Sequence, residues 1–184
     1  MDKPRKYLKN TYHHLFNRGA NKSQIFLDRE SYLFFLRRLK YYKIKYQIEI
    51  LSYCLMPNHF HLFVKQQTDD LLISDFISSL LNSYVKSINK KFIRSGTLFQ
   101  GKTQSKSITD EFYFVWIIKY CLENPVKANI VKTISDWEFS NARDLLKLRN
   151  GTLTNINEIK SYFQSEEQML DFLMDSKLKV IYEF

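Results

Sequence analysis

The segment Met56-Pro57-Asn58-His59-Phe60-His61-Leu62-Phe63-Val64 sets two imidazoles two residues apart in an apolar run. Side chains of a strand alternate between faces, so His59 and His61 project together while Phe60, Leu62 and Val64 turn toward a core. Two adjacent imidazoles can hold one divalent cation through neutral ring nitrogens, but two ligands do not complete a site. Tyr120 and Asn124 stand four residues apart, which puts them on one face of a helix about one turn from each other. Asn124 offers a carbonyl oxygen suited to Mg²⁺ or Mn²⁺. A tyrosine beside such an ion is a competent nucleophile toward a phosphodiester, and with an ordinary pKa of about 10 it needs that help. Each residue also has a plain structural reading. Tyr120 is one of twelve tyrosines, Asn124 can simply end its helix before Pro125, and a His-x-His pair in a strand can be incidental. His13 reads as a structural residue of the first strand, although it could approach the site.

These residues need elements to position them. Thr11 to Arg18 is rich in aromatic and β-forming residues and stops at Gly19, as a strand closed by a turn does. From Asp28 the period changes: Leu33, Phe34, Leu36, Leu39 and Tyr42 recur at three- and four-residue spacing, an amphipathic helix. Ile48–Met56 and His59–Gln66 form a hairpin about Pro57-Asn58. Helical spacing returns from Leu71 to Phe92, a short fourth strand is expected near Gln104–Ile108, and Asp110 can cap a third helix that runs until Pro125. The order β-α-β-β-α-β predicts an α+β fold: an antiparallel four-stranded sheet with two helices on one face, the other face left for a ligand or for the third helix. A short helix is expected over Asn141–Leu148. The tail beyond it, residues 151–184, is acidic and partly helical, so the chain divides into a domain over residues 1–150 and an extension.

The composition narrows the function. Hydrophobic residues make up 45% of the 184, enough for a core and against disorder. Lys and Arg number 28 against 19 Asp and Glu, a net charge of +9; the tail carries −3, leaving +12 on the first 150 residues. Such a body suits a polyanion, either nucleic acid or an anionic membrane surface. Cys54 and Cys121 lie in apolar stretches, read as buried free thiols, and by spacing alone build no zinc site. The charged opening Met1–Lys6 is followed by no apolar leader segment, and no run approaches the roughly 20 apolar residues that span a bilayer, so a soluble, cytoplasmic protein is expected.

Taken in order, Tyr12-His13 to Asn17-Arg18-Gly19, the Met-Pro-Asn-His-Phe-His strand and the helix end Tyr120-Cys121-Leu122-Glu123-Asn124-Pro125-Val126-Lys127-Ala128 resemble the single-tyrosine HUH transposases. Within them the chain is most similar to the REP-associated tyrosine transposases, over roughly Tyr12 to Leu148 and including Trp137-Glu138-Phe139-Ser140-Asn141-Ala142-Arg143. The resemblance implies a ferredoxin-like domain that cuts and rejoins single-stranded DNA, often beside a hairpin, as a monomer or as a homodimer that exchanges the tyrosine helix. It makes His59 and His61 the metal-binding pair, Asn124 the residue that completes the Mg²⁺ or Mn²⁺ site, and Tyr120 the nucleophile that forms a 5′-phosphotyrosine. Arg18, Lys102, Lys106 and Lys127 are the candidates for phosphate contacts. Gln100-Gly101-Lys102-Thr103 departs from the family, which commonly has an Arg and an aromatic residue there, and the acidic tail has no counterpart. Two other readings use similar parts: a replication initiator or relaxase, and a hairpin-binding DNA or RNA module without catalysis.

Overall fold

Four strands, β1 (Tyr12–Arg18), β2 (Ile48–Met56), β3 (His59–Gln66) and β4 (Gln104–Ile108), hydrogen-bond in the order β2-β3-β1-β4, every pair antiparallel. This is the expected split arrangement, with the hairpin turn at Pro57-Asn58. The computed structural model describes residues 7–175 and Leu178; the charged opening Met1–Lys6 and the rest of residues 176–184 lie outside the described residues.

Alternation along the strands builds two layers. Leu15, Phe60, Leu62 and Val64 face α1 (Arg29–Lys45) and α2 (Ile73–Lys91) in one apolar cluster, as expected for Phe60, Leu62 and Val64, which alternate with the histidines' face along the strand. Asp28 caps α1 by accepting from the Ser31 amide at 2.8 Å. The stripe α1 buries is Tyr32, Phe35, Leu39 and Tyr42, whereas Leu33, Phe34 and Leu36 are only partly buried on its flanks. The apolar arc is wider than one stripe, so spacing alone centred it one residue off.

On the opposite face, α3 (Glu111–Lys127) closes a second cluster: Phe114, Ile117, Ile118, Cys121 and Leu122 pack on Leu51, Cys54, Phe63 and Ile108. Each of these large apolar side chains contributes roughly 1.5–3 kcal/mol by burial. Asp110 caps the helix at the Tyr113 amide, at 2.8 Å. Contrary to expectation, Pro125 does not stop it. The helix continues to Lys127, the Ala128 amide bonds to the Asn124 carbonyl at 2.9 Å, and Asn129, at φ 54°, ends it. Proline removes one amide donor and biases the residue before it, but near a C-terminus that loss is tolerable once the turn is packed. Asn124 is therefore an interior helical residue and not a terminator.

The Trp137–Arg143 motif covers the free edge of β2. Leu55 donates to the Phe139 carbonyl at 2.9 Å, and the Trp137 indole donates to the Leu55 carbonyl at 3.1 Å. Just before α4 (Ala142–Leu145), the Asn141 side chain accepts from Ser52 and from the Tyr53 amide and donates to the Leu51 carbonyl. It thereby satisfies the backbone at the irregularity between Ile50 and Ser52, where Leu51 turns to the α3 side. The tail folds back. α5 (Ile156–Lys160) and α6 (Glu166–Met174) contribute Ile159, Met169 and Leu173 to the α3 cluster.

Candidate active site

The pairing register places the site. Arg18 stands opposite His59 and Phe16 opposite His61 on β1 and β3, with His14 and Phe16 two residues apart on the same face. α3 crosses above, so Tyr120 and Asn124, one turn apart, meet the histidines. Ring centroids are 5.1 Å apart for His59 and His61, and 5.4 Å for His61 and Tyr120. Both histidines, Tyr120, Asn124, Arg18 and Lys102 line one cavity of about 510 Å³. Lys106 and Lys127 do not line it. Lys106 is exposed on β4 opposite His14, while Lys127 pairs with Glu123 at 3.0 Å and holds its Nζ 5.4 Å from the Tyr120 ring centre.

Of the two occupants the sequence allows for this face, a ligand or the third helix, α3 takes the part over His61, which is only 5% exposed. His13 is structural, in line with its reading from the sequence; the strand-1 histidine at the site is His14, which that reading did not single out. His14 Nε2 lies 2.9 Å from His61 Nδ1, whereas His13 turns to Tyr7 and Thr11 on the other side of the sheet. Parity could have found this, because Tyr12, His14, Phe16 and Arg18 share one face of a strand.

Burial pushes both imidazoles of the pair toward the neutral form. His61 is held well below its ordinary pKa by burial and by neighbouring His14 and His59, and His59 is lowered by burial; in both, a hydrogen bond with Asn124 opposes the shift. Burial likewise raises the Tyr120 phenol, Cys121 adds to this, and Asn124 works against it. Asn124 thus touches all three functional groups, while its Nδ2 donates to the Tyr120 carbonyl at 2.7 Å.

The donor set fits a divalent cation. His59 Nδ1 donates to Asn58 Oδ1 at 2.7 Å, which leaves the Nε2 lone pair for a metal, and His61 Nδ1 is likewise engaged by His14. With Nδ2 committed to the backbone, Asn124 keeps Oδ1 as the hard donor. Two neutral imidazoles and an amide oxygen bordering a basic cavity leave positions open for phosphate oxygens. The segment bearing Lys102 is tied to β1 as well: Asn17 donates to the Gly101 carbonyl and Thr103 hydroxyl, and Arg18 Nε donates to Gln100 at 2.6 Å.

A ferredoxin-like sheet with paired histidines beneath a tyrosine-bearing helix and a basic cavity defines a DNA-processing domain of the transposase class. The chain belongs to the IS200-like transposase family, whose model matches residues 7–124 and so takes in all four residues at the centre of the cavity. Its fold is similar to that of a REP-associated tyrosine transposase bound to a REP hairpin, with a TM-score of 0.68 and 20% identity over 84% of this chain and 94% of that one. A candidate transposase from Deinococcus radiodurans R1 aligns at a TM-score of 0.46 and 20% identity over 65% of this chain and 95% of that one, too remote to carry an argument. No curated protein sequence matches the chain. Among the described residues no helix is long and apolar enough to cross a membrane.

Proposed function

We propose that this transposase cleaves and rejoins single-stranded, hairpin-associated DNA in a reaction that depends on Mg²⁺ or Mn²⁺ and passes through a phosphotyrosine at Tyr120. The observation that carries this reading is the convergence of Tyr120, Asn124, His59 and His61 on one cavity that also holds Arg18 and Lys102. The hairpin bound by the structurally similar REP-associated transposase supports the choice of DNA.

Arg18 and Lys102 draw the scissile phosphate into the cavity, with Lys106 and Lys127 contacting the backbone farther out. Asn58 and His14 orient the two histidines, and Asn124 sets Tyr120 relative to them. His59, His61 and Asn124 would hold the divalent ion, which would supply Lewis acidity to the phosphate. The Tyr120 oxygen forms a bond to phosphorus as its proton is released to solvent. The bond from phosphorus to the 3′ oxygen breaks, and that oxygen takes a proton to leave as a 3′-OH. Because the phosphodiester energy is kept in the tyrosine link, attack by a 3′-OH reverses the step and joins strands without ATP. Tyr120 faces the histidines of its own chain, which supports a site completed within one chain.

Incubation with hairpin-bearing single-stranded oligonucleotides and Mn²⁺ should give a denaturant-resistant protein–DNA adduct. Tyr120→Phe should abolish it while hairpin binding stays within a few fold. An adduct that persists in the Phe variant refutes the assignment, and hairpin binding with no adduct in the unaltered chain would support the non-catalytic reading.

A further inference from the structure

Below the cavity the chain holds a second group of metal-competent side chains. Among the described residues, His14, His61 and Cys121 each bring one ligand atom to within 4.8 Å of the others, and all three are buried. The two imidazoles already meet through His14 Nε2 and His61 Nδ1 at 2.9 Å, and Cys121 follows Tyr120 directly on α3. We propose that these three residues form an inhibitory site for a soft divalent cation, Zn²⁺, distinct from the outer set of His59, His61 and Asn124.

Chemistry separates the two sites. A thiolate with two imidazoles selects zinc over Mg²⁺ or Mn²⁺, whereas the outer set, with its amide oxygen and open phosphate positions, suits the harder ions. Zinc bonds of about 2.0–2.3 Å place tetrahedral ligand atoms roughly 3.3–3.8 Å apart, so small side-chain rotations close the group onto an ion.

The sites are also mutually exclusive, because both use His61. A neutral imidazole has one lone-pair nitrogen. Zinc at His61 Nδ1 moves the ring proton to Nε2, which removes that nitrogen from the outer site. His14 likewise binds through Nε2 and keeps its proton on Nδ1. Cys121 gives up its thiol proton, so one proton per zinc goes to solvent. Because the Tyr120 ring packs edge-on to both imidazoles, drawing Cys121 toward them also shifts the nucleophile's own turn of helix.

This inhibitory role rests on the proposed cleavage reaction; the metal site itself does not. The full chain without DNA is titrated with Co²⁺ as an optical stand-in for Zn²⁺. A near-ultraviolet thiolate-to-cobalt band should appear, vanish in Cys121→Ala and persist in Cys54→Ala. In cleavage assays with Mn²⁺ in excess, Zn²⁺ should inhibit, and Cys121→Ala should cleave normally without zinc yet resist it by about tenfold or more. Cys121→Ser, which keeps the volume but not the soft ligand, should behave as Ala does if Ala proves unstable. Absence of the band, or a band indifferent to Cys121, overturns the site. A band with unchanged zinc sensitivity in the variant overturns the inhibition. A chain that shows the band and cleaves no DNA refutes the proposed function and the inhibition built on it, leaving the metal site standing.

Discussion

Acidification from pH 7 to pH 5 should destabilise this protein through its buried histidines, before most carboxylates titrate. His14 is fully buried, and burial, with a smaller effect of nearby Lys106, pushes its pKa down to about 3. An unfolded chain restores it to about 6.5. Between those values the unfolded chain binds a proton that the folded chain does not, so stability is complete above pH 6.5 and falls as the pH drops. At about 1.36 kcal/mol per unit, His14 alone should remove about 2 kcal/mol by pH 5. His61, lowered in the same direction by burial and then by His14 and His59, adds to the loss. Asp28 and Glu158 are also lowered, but carboxylates that titrate near 4 when unfolded lose their share mainly below this window. Urea unfolding followed by tryptophan fluorescence at pH 7, 6 and 5, at constant ionic strength, measures the effect. His14→Gln should flatten the profile. A stability that stays level from pH 7 to 5, or a slope that His14→Gln leaves unchanged, would refute the neutral buried pair.

His59→Ala and His61→Ala should both abolish cleavage, but only His61→Ala should also lower stability, by roughly 1–3 kcal/mol, because it removes a buried ring and its hydrogen bond to His14 Nε2; equal melting of the two variants would contradict the difference in burial. Asn124→Ala should cut cleavage strongly at low Mn²⁺, recover in part as Mn²⁺ is raised, and melt nearly as the parent does without metal, so an unchanged Mn²⁺ titration would remove Asn124 from the site. Lys119→Met should cost about 1–3 kcal/mol in chemical denaturation, because it leaves the carbonyls at the end of α6 without their buried donor and Glu123 with Lys127 alone. A loss below about 1 kcal/mol would show that water replaces it.

How far these features were legible depends on the range of the interactions behind them. The β2–β3 hairpin and the shared face of His59 and His61 follow from alternation and a turn, both local, and they stand where the sequence placed them. The short, polar β4 at Gln104–Ile108 also agrees, because the β-α-β-β-α-β order demanded a fourth strand there. The burial of His61 is another matter. Alternation says which way a side chain points but not what covers it, and α3 reaches His61 from some sixty residues away in the chain. His14, which the sequence reading passed over, follows from strand parity with Arg18 on the same strand. Pro125 misled because its local bias against helix was outweighed by packing of the last turn of α3.

The acidic tail shows why a segment without a motif can still matter to a site. Lys119, 1% exposed, donates to the carbonyls of Phe172, Leu173 and Asp175 at the end of α6, at 2.8, 3.2 and 2.9 Å, and pairs with Glu123 at 3.0 Å. A cation at that end also meets the negative pole of the helix dipole. Glu123 in turn pairs with Lys127, so a Lys-Glu-Lys ladder runs along α3 at four-residue intervals. Each of its first two members immediately precedes a site residue, Lys119 before Tyr120 and Glu123 before Asn124. One residue is about 100° of helix, so the ladder occupies a flank while Tyr120 and Asn124 face the sheet. Fixing the flank to α6 therefore fixes the rotation of α3, and with it the direction in which the phenol and the amide point. The family match ends at Asn124, yet the face of α3 that holds Asn124 in place is completed by residues 156–175.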